Sequence, residues 1–205
     1  KSLEELFCSL SASAMHQTII REISDSGESF LISGPTGSGK TTLLRAMLSG
    51  TNERVIAVED VTELAGNNTV CLQSRSINVE GQGKITLEQL VREALRMRPD
   101  RIVVGEVRGL ELMAMLQALN TGHRGATTIH ANNLLQVPER LSTIKADLAI
   151  SDTAFFKMIA AAFDWVIALE AKAGTRSVSG IGKFAIEAGG LVVKDYQPRQ
   201  KLALA

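Results

Sequence analysis

The stretch FLISGPTGSGKTTLLRA, Phe30 to Ala46, is an apolar strand that runs into a glycine-rich loop and out into a helix-forming run. Its middle, Gly34-Pro35-Thr36-Gly37-Ser38-Gly39-Lys40-Thr41, satisfies G-x-x-x-x-G-K-[ST] in the context that gives the pattern a mechanism, after a strand and before a helix. Glycines let the backbone wrap closely and aim several N–H groups at a phosphate chain, and the helix that follows adds its positive end. Lys40 is expected to reach the β- and γ-phosphates and Thr41 to offer its hydroxyl to Mg2+, with Gly34 to Thr42 forming the cradle. The expected ligands are ATP and Mg2+.

Working outward, apolar runs of four to six residues alternate with amphipathic stretches of a dozen or more, the pattern of βα units around a mostly parallel sheet. Strands are expected at 29–33, 54–58, 70–75, 101–104 and 126–130, and helices at 40–49, 87–96, 110–119, 136–145 and 152–162. Thr86 with Gln89 forms a capping box, Gly122 stops the third helix and Ser151 caps the last. After Phe163, turn residues at AGT and AGG separate β-rich pieces, which predicts a terminal antiparallel meander with nothing catalytic in it. The segment NVEGQGK, Asn78 to Lys84, reads as the most loop-like interior stretch.

A chain of 205 residues holds one sizeable α/β core, not two full domains. Lys plus Arg equals Asp plus Glu at 22 each, so no basic field favours nucleic acid, and direct nucleic-acid binding is not expected. Cys8 and Cys71 fit no metal pair and no disulfide scaffold, and read as buried or idle thiols. No apolar run is long enough to span a bilayer, so a cytoplasmic location is expected, peripheral at the inner face of the cytoplasmic membrane. The chain opens on Lys1 directly in a helix-like pattern, which points to a longer parent.

Hydrolysis needs an acid near the γ-phosphate. RVIAVEDVTEL delivers Glu59-Asp60 at the carboxyl end of a strand, the edge where parallel sheets bind ligands, and the alternative is a solvated acidic turn. RPDRIVVGEVRG delivers Gly105-Glu106 at the same edge, in the form of a Walker B segment whose acid is Glu after Gly. NTGHRGATTIHANN sets His123 before another strand and His130 at its end, beside the Thr127-Thr128 hydroxyls. A lone histidine is as often a satisfied structural imidazole, and this spacing is no zinc signature.

Taken in order, these four elements resemble the secretion superfamily of hexameric ATPases, those of type II and type IV secretion and type IV pilus machines: Walker A loop, Asp box, Walker B ending in Gly-Glu, and His box. LRMRPDRIVVGEVRG with LQALNTGHRGATTIHANN looks closest to the Tad (Flp) pilus assembly branch, TadA/CpaF, which lies near the type IV secretion traffic ATPases. The resemblance implies a RecA-like P-loop fold with a small C-terminal β meander. It also implies that Glu106 polarises water, that Glu59 and Asp60 support Mg2+ and the nucleophile, and that His130 senses the γ-phosphate. Arg96 looks like the arginine that reaches a neighbour's nucleotide in related rings, with Arg108 on the same charged edge; the bland reading of Arg96 is a solvated helix-end cation.

The implied protein is a homo-oligomeric ring, a hexamer, working with inner-membrane platform proteins of a pilus or secretion machine. On this reading residues 1–205 are one C-terminal ATPase domain without the family's N-terminal domain: a leading helical segment at 1–28, a P-loop core at 29–162 and a β-rich piece at 163–205. Departures are the lack of the four-cysteine insert of type II ATPases and of the long C-terminal helical region of retraction ATPases. Rival readings are a nucleotide-gated oligomerisation module with little turnover, a RecA-like DNA motor, and, last, a small-molecule kinase.

Overall fold

The computed structural model describes residues 2–77, 82–146 and 148–197. Two short N-terminal helices, α1 (Leu3–Phe7) and α2 (Ala14–Ser26), lead into β1 (Phe30–Ser33), α3 (Lys40–Leu48), β2 (Val55–Glu59) and β3 (Thr69–Gln73). Then come α4 (Leu87–Ala94), β4 (Arg101–Val104), α5 (Glu111–Asn120), β5 (Arg124–Ile129), α6 (Val137–Lys145) and α7 (Asp152–Ala162), and last β6 (Trp165–Lys172), β7 (Thr175–Glu187) and β8 (Gly190–Asp195).

All eight strands join one sheet in the order β3-β2-β4-β5-β1-β6-β7-β8. Pairing is parallel from β3 through β6 and antiparallel from β6 to β8. The terminal piece is therefore an extension of the main sheet: β6 lies parallel beside β1, and only β7 and β8 form the expected antiparallel part. At both hairpins the central pair, Ala173-Gly174 and Ala188-Gly189, has positive φ, the primed turn whose twist matches that of the strands.

The central strands are buried on both faces, which is why they read as unbroken apolar runs. Alternation splits them between two cores. Leu31, Ile56, Val58 and Val104 pack under α4 to α7, while Phe30, Ile32, Val55 and Ala57 pack under α1 to α3. Each such fully buried aliphatic side chain contributes about 1.5–3 kcal/mol by its removal from water.

Helix ends follow the expected chemistry. Thr86 and Gln89 form the capping box of α4, Ser151 accepts from Ala154 N at the start of α7, and Gly122 sits at φ +99 just past α5. The leading helical pattern is split, because the serine-rich run between α1 and α2 competes for its own backbone and Ser11 instead forms a bridge with Ser177. Part of the NVEGQGK loop, residues 78–81, lies outside the described residues. Cys71 is half-buried and Cys8 is exposed, and the two are not joined.

At Gly125 the β4–β5 pair has no room for a side chain. A Cβ there would stand 2.6 Å from Leu119 Cδ2 and 2.9 Å from the Ile102 carbonyl oxygen, and only the first of these can move. Replacing Gly125 by Ala is expected to destabilise the fold by about 1–3 kcal/mol through forced strand separation. Urea unfolding checks this; an unchanged midpoint would show that β4 and β5 part at no cost.

Candidate active site

Because β1, β2, β4 and β5 are parallel, their carboxyl ends share one edge, and that edge carries Gly34, Glu59, Gly105-Glu106 and His130. The phosphate loop starts on β1 and ends in α3. Gly37 and Gly39 take φ +76 and +94, the left-handed region that turns backbone N–H groups inward without a Cβ penalty. No side chain caps the start of α3, so its first N–H groups stay open for an anion.

Lys40 is 7% exposed, and its ammonium donates to the carbonyls of Gly34 (2.9 Å) and Pro35 (3.0 Å) while lying 3.2 Å from His130 Nδ1. Burial lowers the Lys40 pKa, opposed by the negative charge of Glu106. An ammonium can only donate, so His130 Nδ1 is the acceptor and its hydrogen sits on Nε2, 2.8 Å from Glu106 Oε1. Arg108 reaches Glu106 Oε2 at 3.0 Å and approaches Asp60 at 3.8 Å, and Ser74 Oγ donates to Asp60 Oδ1 at 2.7 Å. Lys40, His130, Glu106, Arg108, Asp60 and Ser74 thus form a continuous polar chain along the edge.

Glu59 is 5% exposed, and both its oxygens accept backbone N–H bonds, from Glu63 (3.2 and 3.3 Å) and Leu64 (3.1 Å). Burial is the larger influence and raises its pKa, with the amide donors pulling the other way. Gly105 keeps this contact possible, since a Cβ there would press to 3.0 Å on Glu59 Cγ. Thr128 donates to the Gly105 carbonyl at 2.8 Å, tying β5 to the Walker B turn.

Five buried side-chain N or O atoms lack a hydrogen-bond partner among the described residues, and three belong to this edge: Ser33 Oγ, Ser38 Oγ and Glu106 Oε1. His130 Nε2 is within ion-pair range of the last but not in hydrogen-bond alignment with it. Buried polar atoms are nearly always paired, so the unpaired Glu106 Oε1, whose residue lines the cavity beside the loop, marks a place for a polar ligand. The space for it is a cavity of about 320 Å³ between Gly39, Lys40, Glu106 and His130, adjoining one of about 140 Å³ under Thr41, Glu59 and Asp60.

Thr41, Glu59 and Asp60 offer the smaller cavity oxygen donors that suit a hard cation, and the Arg108 guanidinium shares its lining. Among the described residues no three His, Cys, Asp or Glu side chains form a metal cage.

Two histidine-box positions separate: His130 follows β5 and lies in the site, whereas His123 precedes β5 and contacts the Ala118 carbonyl at 3.3 Å. Arg96 sits in the turn ahead of β4, exposed and paired with Glu93 at 2.6 Å, while Glu106 follows β4; the fold does not bring Arg96 to its own chain's phosphate loop. One residue that the sequence reading missed does reach it. Arg176, on β7, lines the larger of these two cavities, and its Cδ would lie 3.7 Å from a Cβ placed on Gly39. Its signal was the two-residue alternation from buried Val178, usable only once the strand order is known.

The type II/IV secretion system protein family matches residues 6–172. A putative conjugal transfer protein of Mycobacterium tuberculosis is 50% identical over 149 residues, which is 70% of this chain and 42% of that protein. Protein VirB11 of Agrobacterium fabrum is 37% identical over 151 residues, 69% of this chain and 43% of that one. The chain spans less than half the length of these relatives. Among solved structures, the VirB11 ATPase from the Brucella suis type IV secretion system, in complex with sulphate, aligns with a TM-score of 0.73 at 24% identity over 88% of this chain and 54% of its own. The pilus retraction motor PilT with bound ADP aligns at 0.62 and 20% identity over 96% and 54%. Both share this fold.

The raised Glu59 pKa sets a pH dependence. The folded carboxyl keeps its proton to higher pH than the unfolded chain does, so its contribution turns against folding as pH climbs above the ordinary value near 4.5. Glu59→Gln should therefore gain stability relative to the parent protein between pH 4 and pH 7. Urea titrations at the two pH values test this, and a gap that is constant or shrinks refutes it.

Proposed function

This chain belongs to the type II/IV secretion system protein family, and we propose that its site hydrolyses ATP as the motor of a ring-forming secretion or pilus-assembly machine. The observation that carries the reading is a phosphate loop whose Lys40 lines one cavity together with His130 and with Glu106, a carboxylate that keeps an unpaired Oε1. A buried carboxylate oxygen left unpaired beside a phosphate loop favours a ligand that brings its own polar atoms.

In this mechanism the loop amides from Gly34 to Thr42 and the Lys40 ammonium bind the β- and γ-phosphates. Lys40 exchanges its carbonyl contacts for phosphate oxygens, and the substrate's charge relieves the burden that burial places on its ammonium. Thr41, Glu59 and Asp60 would hold Mg2+, which when bound draws charge from the phosphate oxygens. Glu106 orients the attacking water and takes its proton at the open Oε1. His130 stands against Glu106 at one end and reports the γ-phosphate through Lys40 at the other.

Arg96 serves in trans, reaching the neighbouring subunit's nucleotide from an exposed turn that its own site cannot use. Such a site couples turnover to motion between subunits of a ring, a hexamer on this reading. Residues 1–205 act as the ATPase domain. The full machine moves pilin or other substrate across the inner membrane, from the cytoplasmic face and with inner-membrane platform proteins. Among the described residues no helix is long and apolar enough to cross a membrane.

Two branches remain in view for the cargo. The run from Leu95 to Gly109 resembles Tad pilus assembly ATPases, while the VirB11 and conjugal transfer relatives favour a type IV secretion traffic ATPase.

Steady-state turnover of the full-length protein with Mg2+ is expected to rise steeply with protein concentration. Glu106→Gln should lower it by about 100-fold or more while nucleotide still binds. Turnover that is absent at every concentration despite tight binding would reject the motor in favour of a nucleotide-gated assembly module. Mixing tests the trans role: Arg96→Ala subunits should regain activity when combined with Glu106→Gln subunits, each supplying what the other lacks. No recovery would exclude a shared site.

A further inference from the structure

We propose that Arg176 binds the nucleoside-diphosphate end of the substrate, gripping the α- and β-phosphates from the side of the loop opposite Glu106. The inference rests on the reading of this site as an ATP site and adds to it a residue from the C-terminal hairpin.

Three features place Arg176 there. First, β1 lies between β5 and β6 in the sheet, so the loop that leaves β1 has the ends of β4 and β5 on one flank and the β6–β7 hairpin on the other. The hairpin is a wall of the loop: a Cβ on Gly34 would meet the Leu169 carbonyl oxygen of β6 at 2.8 Å. Second, Arg176 shares a strand face with Val178, which is buried in the core beneath α3, so its side chain projects over the loop–α3 junction. Its Cδ would lie 3.7 Å from a Cβ placed on Gly39. Third, the backbone there is held at two points, Ser11 N donating to the Arg176 carbonyl (2.9 Å) and Val178 N to the Ser11 carbonyl (2.9 Å), so the N-terminal segment fixes the position of the strand.

The guanidinium also has no competing partner. Glu170, the carboxylate on the neighbouring strand, is already bound by Lys172 at 2.6 Å and Ser177 at 3.0 Å. No ion pair or side-chain hydrogen bond engages Arg176 among the described residues, whereas Arg108, across the site, pairs with Glu106 at 3.0 Å and approaches Asp60 at 3.8 Å. A planar fork of donors left open over a phosphate loop matches phosphate oxygens two at a time.

The position along the ligand follows from polarity. Hydrolysis requires the γ-phosphate beside Glu106, on the β4–β5 flank. The nucleotide must then run across the start of α3 toward the opposite flank, where Arg176 meets the phosphates next to the ribose. A grip on that end does not distinguish ATP from ADP.

The test measures equilibrium affinity of the full-length protein for ADP and for a non-hydrolysable ATP analogue, with Arg176→Ala and Arg176→Lys beside the parent. The expected result is an equal loss for both ligands, about 10- to 100-fold in the alanine variant and smaller in the lysine variant, with the ligand-free melting temperature unchanged. Unchanged affinities, or a loss confined to the ATP analogue, overturn the inference while leaving the ATP site standing. A parent protein that binds neither ligand overturns the site reading itself. If Arg176→Ala fails to fold, Arg176→Gln decides the same comparison.

Discussion

The phosphate loop can occupy its place only because residue 34 has no side chain. A Cβ there would fall 2.5 Å from Ser38 Oγ and 2.8 Å from the Leu169 carbonyl, closer than atoms tolerate, and backbone on the far side cannot step away. The loop is therefore pressed against β6, and its register fixes where α3 starts. The same contact aims Leu43, Leu44 and Met47 into the core and Lys40 toward the end of β5. A strand–loop–helix packed this tightly aligns its amides before any ligand arrives, so binding need not supply the ordering.

The two edges of the sheet treat charge in opposite ways. Arg101, at the amino-terminal edge, is 2% exposed yet complete: it pairs with Glu53 at 2.6 Å and donates to the Glu28 carbonyl at 3.0 Å. Its neighbour Arg124 shares the same Glu53 at 3.3 Å. The carboxyl-terminal edge leaves Glu106 Oε1 and two serine hydroxyls open and holds a desolvated lysine against a histidine. A structural ion pair is stable when every partner is present, whereas a site must keep capacity in reserve. Distribution of unsatisfied groups, more than cavity size, distinguishes one edge from the other. A roomier space, about 570 Å³, lies beside the loop near Pro35 and Arg140 and not between Lys40 and Glu106.

Most of this was legible in the chain because parallel βα units announce themselves locally. Buried strands read as apolar runs, caps such as Thr86 and Ser151 fix helix starts, and in such a sheet the residue after a strand must lie at the binding edge, which located Glu59, Glu106 and His130 from neighbours alone. What stayed hidden depends on strand order, which no local pattern encodes. Nothing in Trp165 to Glu187 says that β6 lies parallel beside β1, and without that fact Arg176 is one more charged residue on a hairpin. The break between α1 and α2 was missed for a related reason, since Ser11 leaves the helix to bond a strand distant in sequence. The amide contacts of Glu59 were also unreadable, because they arise from the turn that follows β2 and not from spacing.

The polar chain along the edge makes the groups interdependent. Lys40 cannot turn to a phosphate without loosening His130, and His130 stands against the carboxylate that Arg108 also holds. Arg108 in turn approaches Asp60, which Ser74 fixes just beyond the end of β3, the outermost strand. A charge arriving at the loop therefore changes the balance of each pair in sequence, from the middle of the sheet to its rim. Arg108 is the weakest member, 59% exposed and shared between two carboxylates, so screening by water makes its pairs the first to exchange. The rim is also where Val61 and Leu110 stand exposed, apolar surface adjoining the charged end of the chain. The charged end of the chain and this apolar surface therefore share one rim, so an exchange of Arg108 between its carboxylates changes which polar groups border the apolar side chains.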